Sequence, residues 1–262
     1  MGSMLQHPAG NFCWFELGTN NQDAAKTFYT SLFGWQYHEH EMGEEMGVYT
    51  TFTLDGKEVG AAYQLNEQHQ PGVPPHWMPY VAVESADATA AKMTELGGEI
   101  VAPAFDVYDF GRMAAFKDPT GAVLSIWQPR THHGADVVGV PGSVCWSELA
   151  TRDANGAMSF YSGLFGWSLK ESTDGMPYTE LTNGAQPIGG IIAMDGDQWQ
   201  GIPAHWSIYF AVASCEQTVA QAKELGGSIH VPPTNIPNVG KFALIGDPQG
   251  ASFHVIELLP HA

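Results

Sequence analysis

Basic residues are scarce in this chain. Its 262 residues include 10 Lys and Arg against 28 Asp and Glu, a formal net charge of −18. Such a surface repels phosphate backbones and anionic bilayers, which argues against nucleic-acid and membrane partners. Cysteine is scarce too. The 3 cysteines, Cys13, Cys145 and Cys215, form no CxxC, and an odd number does not suggest a disulfide framework. Free thiols in a reducing compartment, the cytoplasm, are expected. No apolar run approaches the ~20 residues of a membrane-crossing helix, and the N-terminus lacks an apolar signal core. Met1-Gly2-Ser3 ahead of Met4 reads as an expression scar, and Gln6 breaks the myristoylation pattern. No P-loop is present, and no GxGxxG follows a strand, so nothing points to a nucleotide.

What is present is a repeat. Cys13, Trp14 and Glu16 return as Cys145, Trp146 and Glu148, and Phe33-Gly34-Trp35 returns as Phe165-Gly166-Trp167, each 132 positions later. Beyond a variable stretch the spacing becomes 129. His76-Trp77 and Tyr80 match His205-Trp206 and Tyr209, and Asp118-Pro119 with Gly121 match Asp247-Pro248 with Gly250. This is a duplicated domain rather than a short solenoid repeat. Apolar content of 44% lets each copy bury its own core. The boundaries read as a first module at 8–129, a Gly- and Pro-containing linker at 130–141 and a second module at 142–260.

Within one copy, Phe12 to Gly18 alternates as a half-buried strand, with Cys13, Phe15 and Leu17 on one face and Trp14 and Glu16 on the other. Thr19 or Asn20 is expected to cap the following helix, which Gly34 ends. Strands follow at Trp35 to Glu39, Val48 to Leu54 and Glu58 to Leu65, with a hairpin turn at Asp55-Gly56. The pattern then restarts with a strand at Trp77 to Glu84, a Ser85 cap, a helix at Ala86 to Leu96 and three more strands. Each copy is therefore two βαβββ units, and the class is α+β.

Two such units per module, with F-Y…LFGW after the first strand and D-P-x-G before the last, resemble the vicinal oxygen chelate superfamily. Its members include glyoxalase I, bleomycin-resistance proteins and extradiol dioxygenases. The stretches AAKTFYTSLFGW and IPNVGKFALIGDPQGASFHVIE are similar to two-module glyoxalase-like proteins, among them a mycobacterial secreted antigen. The resemblance implies tandem modules forming a pseudo-dimer within one chain, each a curved mixed sheet around an open cup. It also implies a metal in that cup, held by residues of the first, fifth and eighth strands. Carried over, those positions are Trp14, Met78 and Ser125 in the first copy and Trp146, Ser207 and His254 in the second. Trp does not ligate, and only His254 is an ordinary ligand. No metal and no cofactor are therefore expected.

Strand parity suggests another group. Trp14 and Glu16 share a face, as do His76, Met78 and Tyr80. If residues 14 and 78 lie close, Glu16 neighbours His76, and by the same reasoning Glu148 neighbours His205. A carboxylate beside an imidazole would raise its pKa and make an acid/base pair, with Tyr80 and Tyr209 on the same face. The same residues could equally be satisfied polar pairs holding strands in register. Trp14, Trp146, Trp127, Phe110 and Tyr49 are candidates for aromatic lining. Arg112 and Lys241 are either solvated strand-end charges or anchors for a carboxylate or phenolate. The reading is a small-molecule-binding protein for an aromatic or carbonyl-containing compound, with isomerase or lyase chemistry from Glu, His and Tyr. Metal-dependent lyase or dioxygenase chemistry through other ligands, and sequestration without catalysis, are the alternatives.

Overall fold

The computed structural model describes residues 7–43, 47–66, 70–171 and 178–260. Met1 to Ser3 and Gln6, read above as a scar and a broken lipidation motif, lie outside them. The first copy contributes β1 (Phe12–Thr19), α1 (Gln22–Phe33), β2 (Gln36–Glu41), β3 (Val48–Leu54), β4 (Lys57–Gln64), β5 (His76–Ala82), α2 (Ala86–Glu95), β6 (Glu99–Val107), β7 (Gly111–Lys117) and β8 (Val123–Pro129). The second contributes β9 (Val144–Thr151), α3 (Ala154–Phe165), β10 (Ser168–Glu171), β11 (Tyr178–Asn183), β12 (Gln186–Ala193), β13 (His205–Ala211), α4 (Cys215–Glu224), β14 (Ser228–Ile236), β15 (Gly240–Gly246) and β16 (Ser252–Leu258). Each copy builds one eight-stranded sheet, in the orders β2-β3-β4-β1-β5-β8-β7-β6 and β10-β11-β12-β9-β13-β16-β15-β14. The ladders β1/β4, β5/β8, β12/β9 and β13/β16 are parallel.

Local chemistry explains the elements. The first helix is capped by Asn21, whose side chain accepts from the Ala24 N–H. The expected Thr19 instead accepts from the Asn21 N–H, which fixes the turn just before the cap. Gly34 ends the helix at φ 71°, a left-handed conformation that costs glycine least. Asp55 and Gly56 at φ 50° and 75° form the β3–β4 hairpin turn. The expected linker is bonded into the fold: Asp136 N–H donates to the Glu58 carbonyl and its carboxylate accepts from the Glu58 N–H.

The compact units do not follow the sequence copies. One comprises residues 1–14, 78–134 and 146–207; the other comprises residues 15–77, 135–145 and 208–262. Each takes one helix from each copy, α2 with α3 in the first and α1 with α4 in the second. In the second unit the core is a cluster of Tyr29, Phe33, Trp35, Trp77, Phe210 and Phe253. The Trp77 indole N–H donates to the Tyr29 hydroxyl at 2.9 Å, which donates to Asp247 at 3.0 Å. Asp247 in turn accepts from the Gln249 and Ala251 N–H groups. The first unit repeats the relay as Trp206 to Tyr161 at 2.9 Å and Tyr161 to Asp118 at 2.8 Å. The F-Y motif of one copy is thus tied to the D-P-x-G turn of the other. The LFGW tryptophans behave alike: Trp35 donates to the Gly142 carbonyl and Trp167 to that of Gly10.

Candidate ligand-binding sites

Glu16 lies half-buried on β1, and the Tyr49 hydroxyl donates to it at 2.6 Å. Register explains the reach. Tyr49 on β3 is paired with Tyr63 on β4, and β4 runs parallel to β1 with Ala61 beside Glu16. The phenol crosses β4 over a small residue. Burial, reinforced by the charge of Glu16, pushes the Tyr63 phenol up to about 12. The second copy builds the same pair. The Trp146 indole donates to the Tyr178 hydroxyl at 2.7 Å, and Tyr178 is hydrogen-bonded to Glu148. Burial, then the Glu148 charge, raises the Tyr178 phenol far above its ordinary value. It therefore stays protonated and acts as a donor. Gly190, the partner of Glu148 across the β12/β9 ladder, has no side chain in the way: a Cβ there would sit 2.0 Å from the Tyr178 oxygen.

The histidines are oriented from behind. His76 Nδ1 donates to the Pro74 carbonyl at 2.9 Å and His205 Nδ1 to that of Pro203 at 2.8 Å. A carbonyl only accepts, so the proton of the neutral ring sits on Nδ1, and Nε2 carries the lone pair. His76 departs from expectation. Its pKa is lowered by burial, partly offset by the Pro74 carbonyl, and no carboxylate contributes. The hydrogen bond seen at Glu16 is with a tyrosine rather than with His76. The second histidine also meets Trp199, whose ring lies 6.5 Å from His205, in a turn that Arg152 holds through the Trp199 and Ile202 carbonyls.

Other expected site residues are placed as follows. Trp14 is buried, with the His132 ring edge-on at 4.5 Å, and His132 also accepts Trp127 Nε1–H on its carbonyl. The His132 ring closes over both indoles. Tyr80 is paired in register with Ser125, both buried, and Met78 is half-buried on the same strand. Tyr209 is paired with His254, and their rings stack at 4.1 Å with Phe242 nearby. Ser207 is half-buried on β13. Phe110 is exposed in the β6–β7 turn. Arg112 donates to both oxygens of Asp87, to Asp106 and to the Ala104 carbonyl, so its fork is already committed. Lys241 is paired with Glu216. Of the two readings offered for these cations, strand-end pairing is what the contacts support.

The missed residues left traces in the sequence. Tyr49-Thr50 recurs as Tyr178-Thr179 at the 129 spacing, and Gly60-Ala61 recurs as Gly189-Gly190. Both Pro carbonyls lie two residues before their histidines.

A metal at the position implied by the fold does not fit these side chains. Indole offers no donor lone pair, and Met78, Ser125 and Ser207 are poor partners for a hard divalent ion. Among the described residues, no three His, Cys, Asp or Glu side chains gather into a group able to hold one.

Residues 11–126 and 141–255 each match the family model described as Glyoxalase/Bleomycin resistance protein/Dioxygenase superfamily. The chain is 40% identical over 262 residues, covering 99% of both proteins, to "Putative glyoxylase CFP32" of Mycobacterium tuberculosis. It is 38% identical over 275 residues to the anthracycline biosynthesis protein DnrV of Streptomyces peucetius, covering 97% of this chain and 96% of that one. Among solved structures, a Mn(II)-bound glyoxalase from Novosphingobium aromaticivorans aligns with a TM-score of 0.66 at 17% identity, over 98% of this chain and 84% of that one. The 2,3-dioxygenase LapB from Pseudomonas sp. KL28 aligns with a TM-score of 0.64 at 14% identity, over 99% and 95%. These likenesses establish the fold, and the two family matches span most of the sequence. The chain belongs to the glyoxalase, bleomycin-resistance and dioxygenase superfamily, as a tandem two-module member.

Proposed function

We propose that this protein binds a planar aromatic small molecule at the Trp146, Glu148, Tyr178 and His205 group, and that Glu148 and His205 move a proton on it. The observation that carries the proposal is the hydrogen-bonded chain from the Trp146 N–H through the Tyr178 hydroxyl to Glu148. It fixes a carboxylate beside a half-buried indole, which offers a flat ligand stacking area with one directed polar contact. His205, held in its Nδ1–H tautomer, adds an oriented base. Glu16, Tyr49 and His76 are the corresponding first-copy residues, and Trp14 corresponds to Trp146. Tyr80 with Ser125 then serves as a buried wall, Met78 and Ser207 as further contacts, and Tyr209 with His254 is the corresponding stacked pair of the other compact unit. The likeness to a protein named for anthracycline biosynthesis supports a polycyclic aromatic ligand. Titration with 1,4-dihydroxyanthraquinone, followed by quenching of tryptophan fluorescence, is the test. Saturable quenching is expected, with affinity reduced at least about tenfold in Trp146→Leu. Absence of saturable binding by the wild-type protein would reject the proposal.

A second reading is glyoxalase-type lyase turnover, favoured by the name of the 40%-identical relative. Methylglyoxal with a thiol, assayed for thioester formation with and without added divalent metal, decides it. Turnover lost in His254→Ala would favour metal-dependent chemistry. Ligand retention with no turnover of any compound would leave sequestration as the function.

A further inference from the structure

The direction of the hydrogen bonds carries information about the ligand. In the second copy every proton in the chain points the same way. The indole N–H of Trp146 can only donate, so the Tyr178 oxygen accepts at 2.7 Å and turns its own proton toward Glu148. The first copy repeats that polarity, with Tyr49 donating to Glu16 at 2.6 Å. Two carboxylates at equivalent positions are thus the accepting ends of phenol donors. The histidines have the same sense. Both spend the Nδ1 proton on a proline carbonyl and direct a lone pair from Nε2.

We infer that the site at Glu148 and His205 is a proton-accepting site, selective for aromatic ligands that present a hydrogen-bond donor and closed to aromatic anions. The inference rests on the aromatic-ligand reading above and specifies its substrate class: phenols, enols or aryl-alkyl ammonium groups. A carboxylate has two oxygens and accepts several hydrogen bonds at once, so a ligand O–H or N–H joins the protein donors on Glu148 without displacing them. A ligand carboxylate would bring a like charge against Glu148 in half-buried surroundings, and the net charge of −18 adds to the repulsion. A ligand offering only an acceptor would find no unengaged proton on the chain Trp146–Tyr178–Glu148.

The experiment is calorimetric titration of the full-length protein at pH 7 with a matched set: 1-naphthol, 1-methoxynaphthalene, 1-naphthoate and 1-naphthylmethylammonium. The naphthol is expected to bind at least about tenfold tighter than its methyl ether, since a hydrogen bond to a charged group is of that order. The naphthoate should bind more weakly than the ether. Tighter binding of the ammonium than of naphthol identifies a cationic donor; the reverse order identifies a neutral hydroxyl. Two variants separate recognition by Glu148 from general stickiness. Glu148→Gln, folded by circular dichroism, should reduce the naphthol-to-ether ratio to near unity. Tyr178→Phe removes a competing donor and should leave that ratio intact or raise it. The inference is overturned if the ether or the naphthoate matches naphthol, if the ratio survives in folded Glu148→Gln, or if Tyr178→Phe abolishes it. Equal binding of all four would leave the aromatic-ligand reading standing without this selectivity. Binding by none would reject both.

Discussion

Tyr29→Phe tests how the two copies are held together. The hydroxyl it removes is buried, accepts the Trp77 indole proton at 2.9 Å and donates to Asp247 at 3.0 Å. Phenylalanine keeps the ring and its contacts with Trp35 and Phe253, so packing is nearly unchanged. The loss is therefore polar. An indole N–H is left buried without its acceptor, and a carboxylate loses a bond worth more than a neutral one. Together these cost about 2–4 kcal/mol. For a chain of this size that lowers the midpoint of thermal unfolding by roughly 5–15 °C. The cost must also depend on pH. Burial already raises the Asp247 pKa above its ordinary 3.8, while the Tyr29 bond opposes the rise. A carboxyl whose folded pKa is raised favours the folded state when protonated, so stability falls as pH climbs from about 3.8 through the folded pKa. Deleting the hydroxyl extends that fall to higher pH. The destabilisation should be largest near neutrality and smaller at pH 3, where Asp247 is protonated in both states. Urea melts of wild type and variant at pH 3 and 7, followed by tryptophan fluorescence, measure it. A loss below about 0.5 kcal/mol at pH 7, or one that grows in acid, would refute the relay as a structural tie.

Further outcomes are expected. Because burial lowers the His76 pKa from 6.5, the folded state resists its protonation, and stability is lost as pH falls through 6.5 toward the lowered value; melts of His76→Gln should show a flatter profile there, and an unchanged profile would reject burial as the cause. Cys13, Cys145 and Cys215 are free, with burial raising all three thiols, Cys145 to about 12 and Cys215 to about 11. A thiol reagent should therefore find three groups in denatured, unreduced protein but react slowly with the native chain. Metal analysis after growth in supplemented medium should find well under one equivalent per chain; a tight equivalent lost in His254→Ala would show that the donor chemistry has been misjudged.

Much of this architecture was legible from spacing and alternation. The change from 132 to 129 delimits the variable stretch, and parity separates Cys13 and Phe15 from Trp14 and Glu16. The Gly34 and Asp55-Gly56 positions follow from the backbone conformations that glycine permits. The partner of Glu16 was harder to read. Parity says which face a side chain takes, but not how far it reaches along the sheet. Strands lie about 4.8 Å apart, so a residue two strands away seems remote. A tyrosine is long enough to cross when the strand between carries Ala61 or Gly190. The exchange of halves between compact units was hidden for a related reason. A repeat of βαβββ units gives the same local patterns whichever copy each helix packs with. Contacts between the copies, such as Tyr29–Asp247 and Tyr161–Asp118, distinguish the two arrangements.

Gly190→Ala follows from that geometry. Glu148 receives the Tyr178 phenol over a residue with no Cβ; one built there would lie 2.0 Å from the hydroxyl oxygen. Backbone strain is not the issue, since Gly190 is not among the glycines held at positive φ. The phenol must therefore move, and moving it breaks both the Trp146 and the Glu148 hydrogen bonds. The first copy carries Ala61 at this place and still joins Tyr49 to Glu16, so an alanine is compatible with the sheet itself. Gly190→Ala should consequently remain folded, with thermal unfolding shifted by no more than a few degrees, while the phenol environment and aromatic-ligand affinity change together. The Tyr178 absorbance titration is the direct reading. Released from Glu148 and from part of its burial, the phenol should ionise at lower pH than in wild type. A Gly190→Ala protein with unchanged tyrosine titration and unchanged ligand affinity would mean that the phenol finds another route to Glu148. Glycine would then not be what this site requires.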